Sequence, residues 1–290
     1  MVSQPPMQFN DYYQQVYGDR WPGLLKSLEQ KEAQVLFAPF AQETGDVEWL
    51  PGCWWMTAER ANWPTERDDD GLLRYYVLDP ASVLVARALM VNPGDQILDM
   101  CAAPGGKTLV LVQTLGQEGL LEANELSPAR RARLTKVIQQ YVPKTLRQRV
   151  FVKGKDALRF GLMAKESYDR ILLDAPCSGE RHLLANTKEI NQWKPKRVSS
   201  LAKKQYSLLA SGIEALKPGG RLVYSTCALS PEENDQVIAR ALKKKPLVSS
   251  VETPQPSPFA ERTEYGWIHL PDKCQFGPLY FAVMEKKTEL

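Results

Sequence analysis

The stretch from Gln96 to Thr108, QILDMCAAPGGKT, constrains the fold more than any other part of this 290-residue chain. It opens with an apolar run that predicts a buried strand, passes through a proline and two glycines (residues 104–106), and continues as an apolar helix. Doubly wound α/β domains bind cofactors at such a turn, because glycine lets the backbone approach the ligand and the free N–H groups of the helix start attract its anionic part. About 20 residues further on, an apolar run at 119–123 leads to Glu125, where an acid would bind ribose hydroxyls. We therefore expect a mononucleotide-like cofactor at this loop.

Two common nucleotide-binding motifs are similar to this loop, but neither matches it. Gly106, Lys107 and Thr108 correspond to the end of a phosphate-binding P-loop, yet that motif requires a glycine where Cys101 stands. The dinucleotide-binding pattern GxGxxG does not occur in the loop either. A glycine turn after a strand is weak support for a nucleotide-type ligand on its own, so the rest of the sequence has to decide.

The composition is that of an ordinary globular protein, with 43% apolar residues, 24% charged residues and a net charge of +3. No apolar run is long enough to span a membrane, and the N-terminus lacks the apolar core of a secretion signal, so we expect a cytoplasmic location. Five cysteines without a CxxC pair, together with only two histidines, argue against a structural metal site and against disulfides. Cys53 and Cys274 are interpreted as small buried hydrophobic residues.

Strands and helices alternate through most of the chain, which predicts an α/β fold with a doubly wound, mostly parallel sheet. A small N-terminal module, helical and rich in aromatic residues, is predicted over 1–79, and the α/β domain over 80–290. In the module Arg60 lies among tryptophans that could stack nucleic-acid bases, but packing against the neighbouring domain is favoured. The predicted helices cover 9–28 (as one or two), 80–90, 127–141 and 198–216, the predicted later strands cover 150–152, 168–173, 221–226, 265–270 and 279–284, and residues 230–233 form a predicted capping box.

Polar and reactive side chains follow the predicted parallel strands at their carboxyl ends, the edge at which open α/β sheets bind ligands. Any one of the carboxylates could instead cap the helix that follows it. Because residues far apart in sequence converge at one edge, we expect them to form one site. They are Asp99 to Lys107, Glu125, Asp156, Asp174 to Cys177, and Cys227.

Three motifs indicate the kind of site. DMCAAPGGKT (99–108), DAPCSG (174–179) and STCALSP (225–231), taken together, resemble the Sun/Fmu (NSUN-type) family of RNA 5-methylcytosine methyltransferases. The resemblance runs from the helix that begins at Pro80 to the C-terminus, and it implies a class I, Rossmann-like catalytic domain that uses S-adenosylmethionine (SAM) and acts on RNA. After DAPCSG the sequence continues ERHLLANTKEINQW, which looks closer to the mitochondrial rRNA and tRNA branch than to the glycine- and arginine-rich members. The target class, rRNA or tRNA, stays open.

The resemblance also implies which residues bind SAM. The methionine end would lie against the loop, the ribose hydroxyls against Glu125, and the adenine amino group against Asp156. Arg130 matches an arginine of the family, although an ion pair would explain its presence equally well. The implied cofactor-binding residues are Cys101, Ala102, Ala103, Pro104, Gly105, Gly106, Lys107, Glu125, Arg130, Asp156 and Asp174.

Methylation at C5 of cytosine needs covalent help, because that carbon is a poor nucleophile. A thiolate that adds to C6 makes C5 nucleophilic, an acid near N3 stabilises the adduct, and a base must later remove the C5 proton. Two cysteines could attack: the Pro176–Cys177 pair, as in the DNA enzymes, or the Thr226–Cys227 pair, as the resemblance to the RNA family implies. We assign Cys227 as the nucleophile, Cys177 to product release and Asp174 as the acid. Two inert core cysteines are the simpler alternative.

A basic cluster lies just past Trp193, beside the predicted catalytic loop. A solvated helix face would explain such a cluster, but its position favours contact with RNA phosphates. The lysines at 243–245 are assigned instead to an ordinary helix C-terminus. The residues of the basic cluster are Lys194, Lys196, Arg197, Lys203 and Lys204.

The sequence thus predicts a SAM-dependent RNA cytosine-C5 methyltransferase that acts on rRNA or tRNA and needs neither a metal nor a membrane. Two other classes of function fit part of it. A small-molecule SAM methyltransferase would use the cofactor loop but leave both cysteines and the basic cluster without a role. A non-catalytic SAM-binding RNA-assembly protein is the second, and the intact Cys177, Cys227 and Asp174 argue against it. Fold resemblance alone excludes neither class.

Overall fold

The computed structural model describes residues 7–40 and 43–288. The α-helices are α1 (Met7–Tyr17), α2 (Trp21–Glu29), α3 (Pro80–Arg87), α4 (Gly106–Gln113), α5 (Pro128–Tyr141), α6 (Lys144–Arg147), α7 (Phe160–Met163), α8 (Glu180–Ala185), α9 (Thr187–Asn191), α10 (Pro195–Ala215), α11 (Asp235–Lys244) and α12 (Pro271–Cys274). The strands are β1 (Val35–Phe37), β2 (Cys53–Trp55), β3 (Tyr76–Leu78), β4 (Gln96–Asp99), β5 (Leu120–Asn124), β6 (Val150–Lys153), β7 (Tyr168–Asp174), β8 (Leu216–Thr226), β9 (Val248–Ser250), β10 (Glu261–Arg262), β11 (Gly266–His269) and β12 (Leu279–Lys286).

A nine-stranded sheet organises the fold, in the order β10-β11-β12-β8-β7-β4-β5-β6, with β9 paired to β12. The pairings from β8 across to β6 are all parallel. Beyond β8, each pair of neighbouring strands is antiparallel, including the predicted terminal pair β11 and β12. This arrangement confirms the predicted α/β fold with a mainly parallel central sheet.

The strand order reverses at β4. The chain first adds β5 and β6 on one side of β4, then crosses back and adds β7 and β8 on the other side. Loops that leave the carboxyl ends of β4 and β7 therefore diverge, which opens a crevice suited to a ligand. Asp99 at the end of β4 pairs in register with Leu172 of β7, so the predicted cofactor loop and the DAPCSG motif begin on adjacent strands.

Apolar side chains alternate between the two faces of this sheet, as the two-residue period of a strand requires. Leu98, Ile171 and Leu173 belong to a core that includes residues of α1, α2, α10 and α11. Ile97 and Leu172 belong to the opposite core, with residues of α3, α4 and α5. Both faces are covered by helices, which explains why consecutive residues in the middle of these strands, such as those at 171–173, are apolar.

The N-terminal helices pack into the first of these cores. The Phe9 ring of α1 lies 5.2 Å from the ring of Trp193, and the Tyr13 ring lies 5.1 Å from that of Trp21 in α2 (centroid distances). Phe9 and Tyr13 are fully buried, and Trp21 and Trp193 nearly so. Aromatic rings at these separations contribute packing energy beyond the area they bury. Residues on either side of the predicted boundary at 79/80 therefore share one hydrophobic core.

The strands that follow these helices form a small second sheet, in which β1 pairs antiparallel with both β2 and β3. On one of its faces, Trp54 is buried against Trp63 and Tyr75, at ring-centroid distances of 6.2 and 5.5 Å. The guanidinium of Arg60 lies over the Trp63 ring, 5.0 Å from its centroid. These aromatic residues pack on one another within the small sheet, and not against the neighbouring domain as expected.

Some local predictions differ from the structure. The helix predicted over 198–216 begins earlier, at Pro195, and ends at Ala215. The strand predicted over 221–226 begins earlier as well, because β8 starts at Leu216. A register shift in the β7–β8 pairing accompanies this early start. The short strands β9 and β10 were not predicted, because two or three residues carry too little periodicity. Within 7–40 and 43–288, no helix combines the length and apolar character that a membrane crossing needs.

Replacement of Phe9 tests whether α1 is part of the core. Because Phe9 is fully buried among aromatic rings, Phe9→Ala should lower the free energy of unfolding by about 3–5 kcal/mol in urea titrations. Phe9→Leu keeps most of the apolar volume and should cost clearly less. A loss below about 1 kcal/mol for the alanine variant would contradict the packing described here.

Candidate active site

A glycine and a buried acid fix the conformation of the loop after β4. Gly105 has a φ of 122°, which glycine adopts without strain, and a Cβ atom there would lie 3.0 Å from Cγ1 of Val137. Thr108, in the first turn of α4, donates its hydroxyl to Asp99 at 2.8 Å. Burial raises the pKa of Asp99 to about 7. The predicted glycine turn is therefore held on both sides, by close packing on α5 and by a hydrogen bond to the strand.

A buried asparagine ties together the ends of three neighbouring strands. Asn124, the last residue of β5, donates its side-chain Nδ2 to the carbonyls of Met100 (3.1 Å) and Lys155 (3.0 Å). It also accepts the Lys155 backbone N–H at 2.8 Å. Met100 follows β4 and Lys155 follows β6, so one amide connects the segments that lead to the cofactor loop, to Glu125 and to Asp156.

The acid after β5 is connected to the cofactor loop through an arginine. Glu125 is buried, accepts the backbone N–H of Ser127 at 2.9 Å, and forms an ion pair with Arg130 (Nη1 to Oε2, 3.3 Å). Arg130 also donates to the Ala103 carbonyl at 2.8 Å. Asp156 is exposed and caps the short 3-10 helix that follows β6. Ribose binding by Glu125 and adenine binding by Asp156 stay predictions.

A lysine and an aspartate connect the two sides of the crevice. Lys107 Nζ lies 2.8 Å from Asp174 Oδ2, and Asp174 Oδ1 accepts the hydroxyl of Ser225 at 2.8 Å. Burial by itself would lower the pKa of Lys107, but the charge of Asp174 and the hydrogen bond to it outweigh burial and raise that pKa above its ordinary value. Lys107 is therefore a cation at neutral pH.

The two predicted cysteines lie in direct contact. Their Sγ atoms are 2.7 Å apart, and the Cys227 backbone N–H donates to Cys177 Sγ at 3.3 Å. The hydrogen bond with Cys227, followed by burial, raises the pKa of Cys177 well above its usual range. Gly179, at a φ of 61°, lets the chain turn beside the thiols, since a Cβ there would be 3.8 Å from Cys227 Sγ.

Two adjoining cavities open at these residues. The larger, of about 650 Å³, is lined by both cysteines, and the smaller, of about 200 Å³, lies along the cofactor loop. Cys101, Lys107 and Asp174 line both cavities. Burial raises the pKa of Cys101 to about 12, so this third cysteine keeps its proton and is not a rival nucleophile. Of the predicted catalytic and cofactor-binding residues, Gly105, Glu125 and Asp156 line neither cavity.

Two fully buried carboxylates, Glu180 and Glu233, were missed by the sequence analysis. Glu233 accepts the backbone N–H of Ser178 at 3.0 Å and the side chain of Gln205 at 2.7 Å. The predicted capping box is therefore wrong, because the carboxylate of Glu233 binds the Cys177 loop and not the backbone N–H of Ser230, and α11 begins only at Asp235. Glutamates that follow a cysteine motif carry no local pattern that indicates burial, so only the tertiary fold reveals them.

The five residues of the basic cluster are all exposed on or just before the first half of α10. Arg197 is the member that lines the larger cavity, and its Nη2 lies 3.7 Å from Glu189 Oε2. The cluster thus extends from the mouth of the cavity along the exposed face of the helix. Contact with RNA phosphates stays a prediction.

The family model described as 16S rRNA methyltransferase RsmB/F matches residues 86–285. This range contains the loop after β4, the Lys107–Asp174 pair and both cysteines. The chain belongs to this family. Membership in the RsmB/F family confirms the resemblance to Sun/Fmu proteins that the three motifs indicate.

The RsmB/F chain is similar to curated relatives from animals and bacteria. It is 38% identical over 235 residues to the 5-cytosine rRNA methyltransferase NSUN4 of Bos taurus, covering 75% of this chain and 61% of that protein. It is 37% identical over 236 residues to the mitochondrial tRNA (cytosine(34)-C(5))-methyltransferase of Danio rerio, covering 77% and 64%. It is 32% identical over 278 residues to the ribosomal RNA small subunit methyltransferase F of Cronobacter sakazakii, covering 90% and 55%. The chain thus spans less than two thirds of the length of these relatives.

Solved structures share the fold of this RsmB/F chain. NSun6 from Pyrococcus horikoshii with SFG superposes with a TM-score of 0.77 at 18% identity, covering 98% of this chain and 99% of that one. A methyltransferase homologue from Pyrococcus horikoshii gives a TM-score of 0.75 at 24% identity, covering 96% and 94%. Likeness at these identities concerns the fold, and it confirms the predicted Rossmann-like domain.

The titration of Glu233 gives a stability prediction. Burial first, and the charge of Glu180 second, raise the pKa of Glu233 from 4.5 to about 7. A folded pKa above the unfolded value means that the stabilisation is fully present below the unfolded pKa and is lost as the pH rises toward the folded pKa. Relative to Glu233→Gln, the wild type should therefore lose about 3 kcal/mol of unfolding free energy between pH 4.5 and 7. Urea titrations across this range measure the difference, and a difference that stays constant would contradict the assignment.

Proposed function

We propose that this chain is a SAM-dependent RNA methyltransferase that forms 5-methylcytosine in rRNA or tRNA. The observation that carries the proposal is the pair of thiols, Cys177 and Cys227, whose Sγ atoms lie 2.7 Å apart on the wall of one cavity with Lys107 and Asp174. A reaction in which one thiol adds to a ring carbon and a second assists release needs this arrangement. Neither a small-molecule methyltransferase nor a non-catalytic RNA-assembly protein gives two thiols a reason to line the same cavity.

The residues at the smaller cavity fit SAM. Residues of the loop at the start of α4, together with Asp99, line it, which suits the charged amino-acid end of that molecule. Glu125 lines neither cavity, but within the described ranges its buried Oε2 has an ion pair and no hydrogen bond, which leaves an acceptor for a ribose hydroxyl. The archaeal relative by fold was solved with SFG, an analogue of SAM. When bound, SAM supplies an electrophilic methyl group.

Cys227 is the proposed nucleophile. Its sulfur gives up its proton and forms a bond to C6 of the target cytosine, the ring electrons shift toward C5, and Asp174 passes a proton to N3, which leaves N3 again when the thiol is released. Lys107 and Asp174 line the same cavity and supply hydrogen bonds and positive charge at that edge of the ring. Once C5 carries the methyl group, loss of the C5 proton to a base returns the electron pair to the ring and breaks the bond between sulfur and C6.

Cys177 is the proposed base for release. The raised pKa means that Cys177 keeps its proton in the resting pair, and a protonated thiol is a poor nucleophile, which favours Cys227 for the attack. When Cys227 becomes bonded to C6, it no longer shares a hydrogen bond with Cys177. The largest cause of the raised pKa is then removed and burial remains, so the pKa of Cys177 falls. Cys177 passes its proton to solvent in the cavity and then, as a thiolate, accepts the proton from C5.

The relatives support an RNA substrate, but they do not distinguish rRNA from tRNA. Two of those compared are named as rRNA enzymes and one as a tRNA enzyme, so the proposal keeps both classes. The tRNA enzyme is named as mitochondrial, and the cytoplasmic location expected from the sequence stays a prediction.

Replacement of each cysteine separates the two roles. With unmodified rRNA and tRNA and methyl-labelled SAM, Cys227→Ala should neither methylate RNA nor form a covalent complex, because no thiol adds to C6. Cys177→Ala should attack and methylate but fail to release, so that a protein–RNA band survives a denaturing gel. The double variant is the control and should lack the band. A band that accumulates in Cys227→Ala and needs Cys177 would reverse the roles.

The salt dependence of RNA binding tests the basic cluster. Each lysine that neutralises a phosphate releases a counterion, so replacing Lys203 and Lys204 by alanine should lower the slope of log affinity against log salt by about 1–2. Lys243 and Lys244, which are exposed at the end of α11, provide a matched control that should leave the slope unchanged. Equal slopes for both double variants would show that the basic cluster is an ordinary solvated helix face and does not contact RNA phosphates.

A further inference from the structure

The two cysteine loops are anchored to the sheet to different degrees. Cys227 follows β8 directly, and β8 is paired up to its last residue, Thr226. Cys177 lies three residues beyond the end of β7, and the ladder pairing of that strand ends at Asp174. The position of the Cys177 thiol therefore depends more on side chains than on the sheet.

Besides Glu233, which accepts the backbone N–H of Ser178, a second buried carboxylate connects the two loops. Glu180 Oε1 accepts the hydroxyl of Ser178, the residue after Cys177. Its other oxygen, Oε2, accepts the backbone N–H of Leu229 at 3.0 Å, two residues after Cys227. Glu180 is fully buried, so it takes one hydrogen bond from each loop with no competition from water.

Helix α1 supplies the remaining donor to this carboxylate. It lies outside the range 86–285 that the family model matches, yet it presents three tyrosine hydroxyls to the two loops. Two of these hydroxyls form hydrogen bonds with the segment after Cys227, and the third donates to the carboxylate of Glu180. The contacts are Tyr13 to Glu180 Oε1, Tyr17 to the Leu229 carbonyl (2.8 Å), and Tyr12 to Ser230 Oγ (2.7 Å) and Glu232 Oε1 (2.9 Å).

We propose that Glu180, held in place by Tyr13, is a positioning residue that sets the distance between Cys177 and Cys227. The effect of this positioning on catalysis rests on the proposed function, in which the two thiols must reach the adjacent carbons C6 and C5 of one ring. A buried carboxylate with several donors is held firmly, because losing any donor leaves charge uncompensated. Since β8 anchors Cys227, removal of Glu180 displaces chiefly Cys177, which weakens release more than attack.

Oxidation of the RNA-free protein tests the geometry directly. Diamide takes two electrons and two protons from a pair of thiols, which leaves a disulfide and a hydrazine. Formation of the disulfide between Cys177 and Cys227, followed by mass spectrometry, should slow by about 10-fold or more in Glu180→Ala, as expected for a displacement approaching 1 Å. In Glu180→Gln the amide oxygen can accept from Leu229 and the amide N–H groups can donate to the hydroxyls of Ser178 and Tyr13, so its rate should stay near that of the wild type.

Asp169→Ala is the matched control for lost stability. Asp169 lies at the opposite end of β7, where it accepts from Lys217 and from the Gln96 backbone. Its removal should destabilise the protein without changing the rate of disulfide formation. If Glu180→Ala yields no folded protein, Ser178→Ala, which removes only the donor on the Cys177 side, serves for the same measurement.

Turnover on RNA provides the second readout. Glu180→Ala should lower turnover about 100-fold, the scale for a misplacement of about 1 Å, and should accumulate the covalent protein–RNA band, because attack survives and release does not. Tyr13→Phe should do the same to a smaller extent. Glu180→Gln should restore release.

The outcomes separate the two proposals. An unchanged disulfide rate in Glu180→Ala, or an equal slowing in Asp169→Ala, overturns the positioning role whatever happens with RNA. If the wild type forms neither adduct nor 5-methylcytosine while the disulfide rates follow the expected order, the proposed function fails and the geometric role of Glu180 stands. A loss of turnover in Glu180→Ala without the covalent band would show that attack, and not release, depends on Glu180, which also overturns the inference.

Discussion

The ion pair between Lys107 and Asp174 brings together the features on which the site depends. It forms because the chain returns to β4 from the other side, which places β7 beside the strand that carries the cofactor loop. Lysine is costly to bury, and the adjacent carboxylate offsets that cost. The hydroxyl of Ser225, on the next strand, extends the contact to β8 and so to the cysteine that follows it. The cofactor side and the thiol side of the crevice are thereby fixed relative to each other.

Much of this arrangement is visible in the sequence, because it depends on local pattern. The apolar runs of β4 and β7, the glycine turn at Gly105 and the helix start at Ser127 each involve neighbouring residues, and the structure has them where the pattern predicts. The convergence of strand ends then follows from the general behaviour of parallel sheets. The site residues that could be named from the sequence are those that lie at these strand ends.

What the sequence does not predict are contacts between residues far apart in the chain. Tyr13 and Glu180 are separated by 167 positions, and no local period relates them. Glu233 illustrates the error that results: its spacing from Ser230 fits a capping box, but in the folded protein the amides of Ser178 and Gln205 bind its carboxylate. Local hydrogen bonding and tertiary burial compete for the same carboxylate, and here burial in a polar network prevails.

The three tyrosines of α1 also have a consequence for the order in which the protein assembles. A ribosome releases α1 well before the segments that cover it, among them Trp193 and the loop after β8. Contacts across so much sequence form late, since the intervening chain must be ordered before they can close. During synthesis the aromatic surface of α1 therefore stays uncovered for longer than any strand of the parallel sheet waits for its neighbour, which prolongs the time in which this surface can associate with other chains.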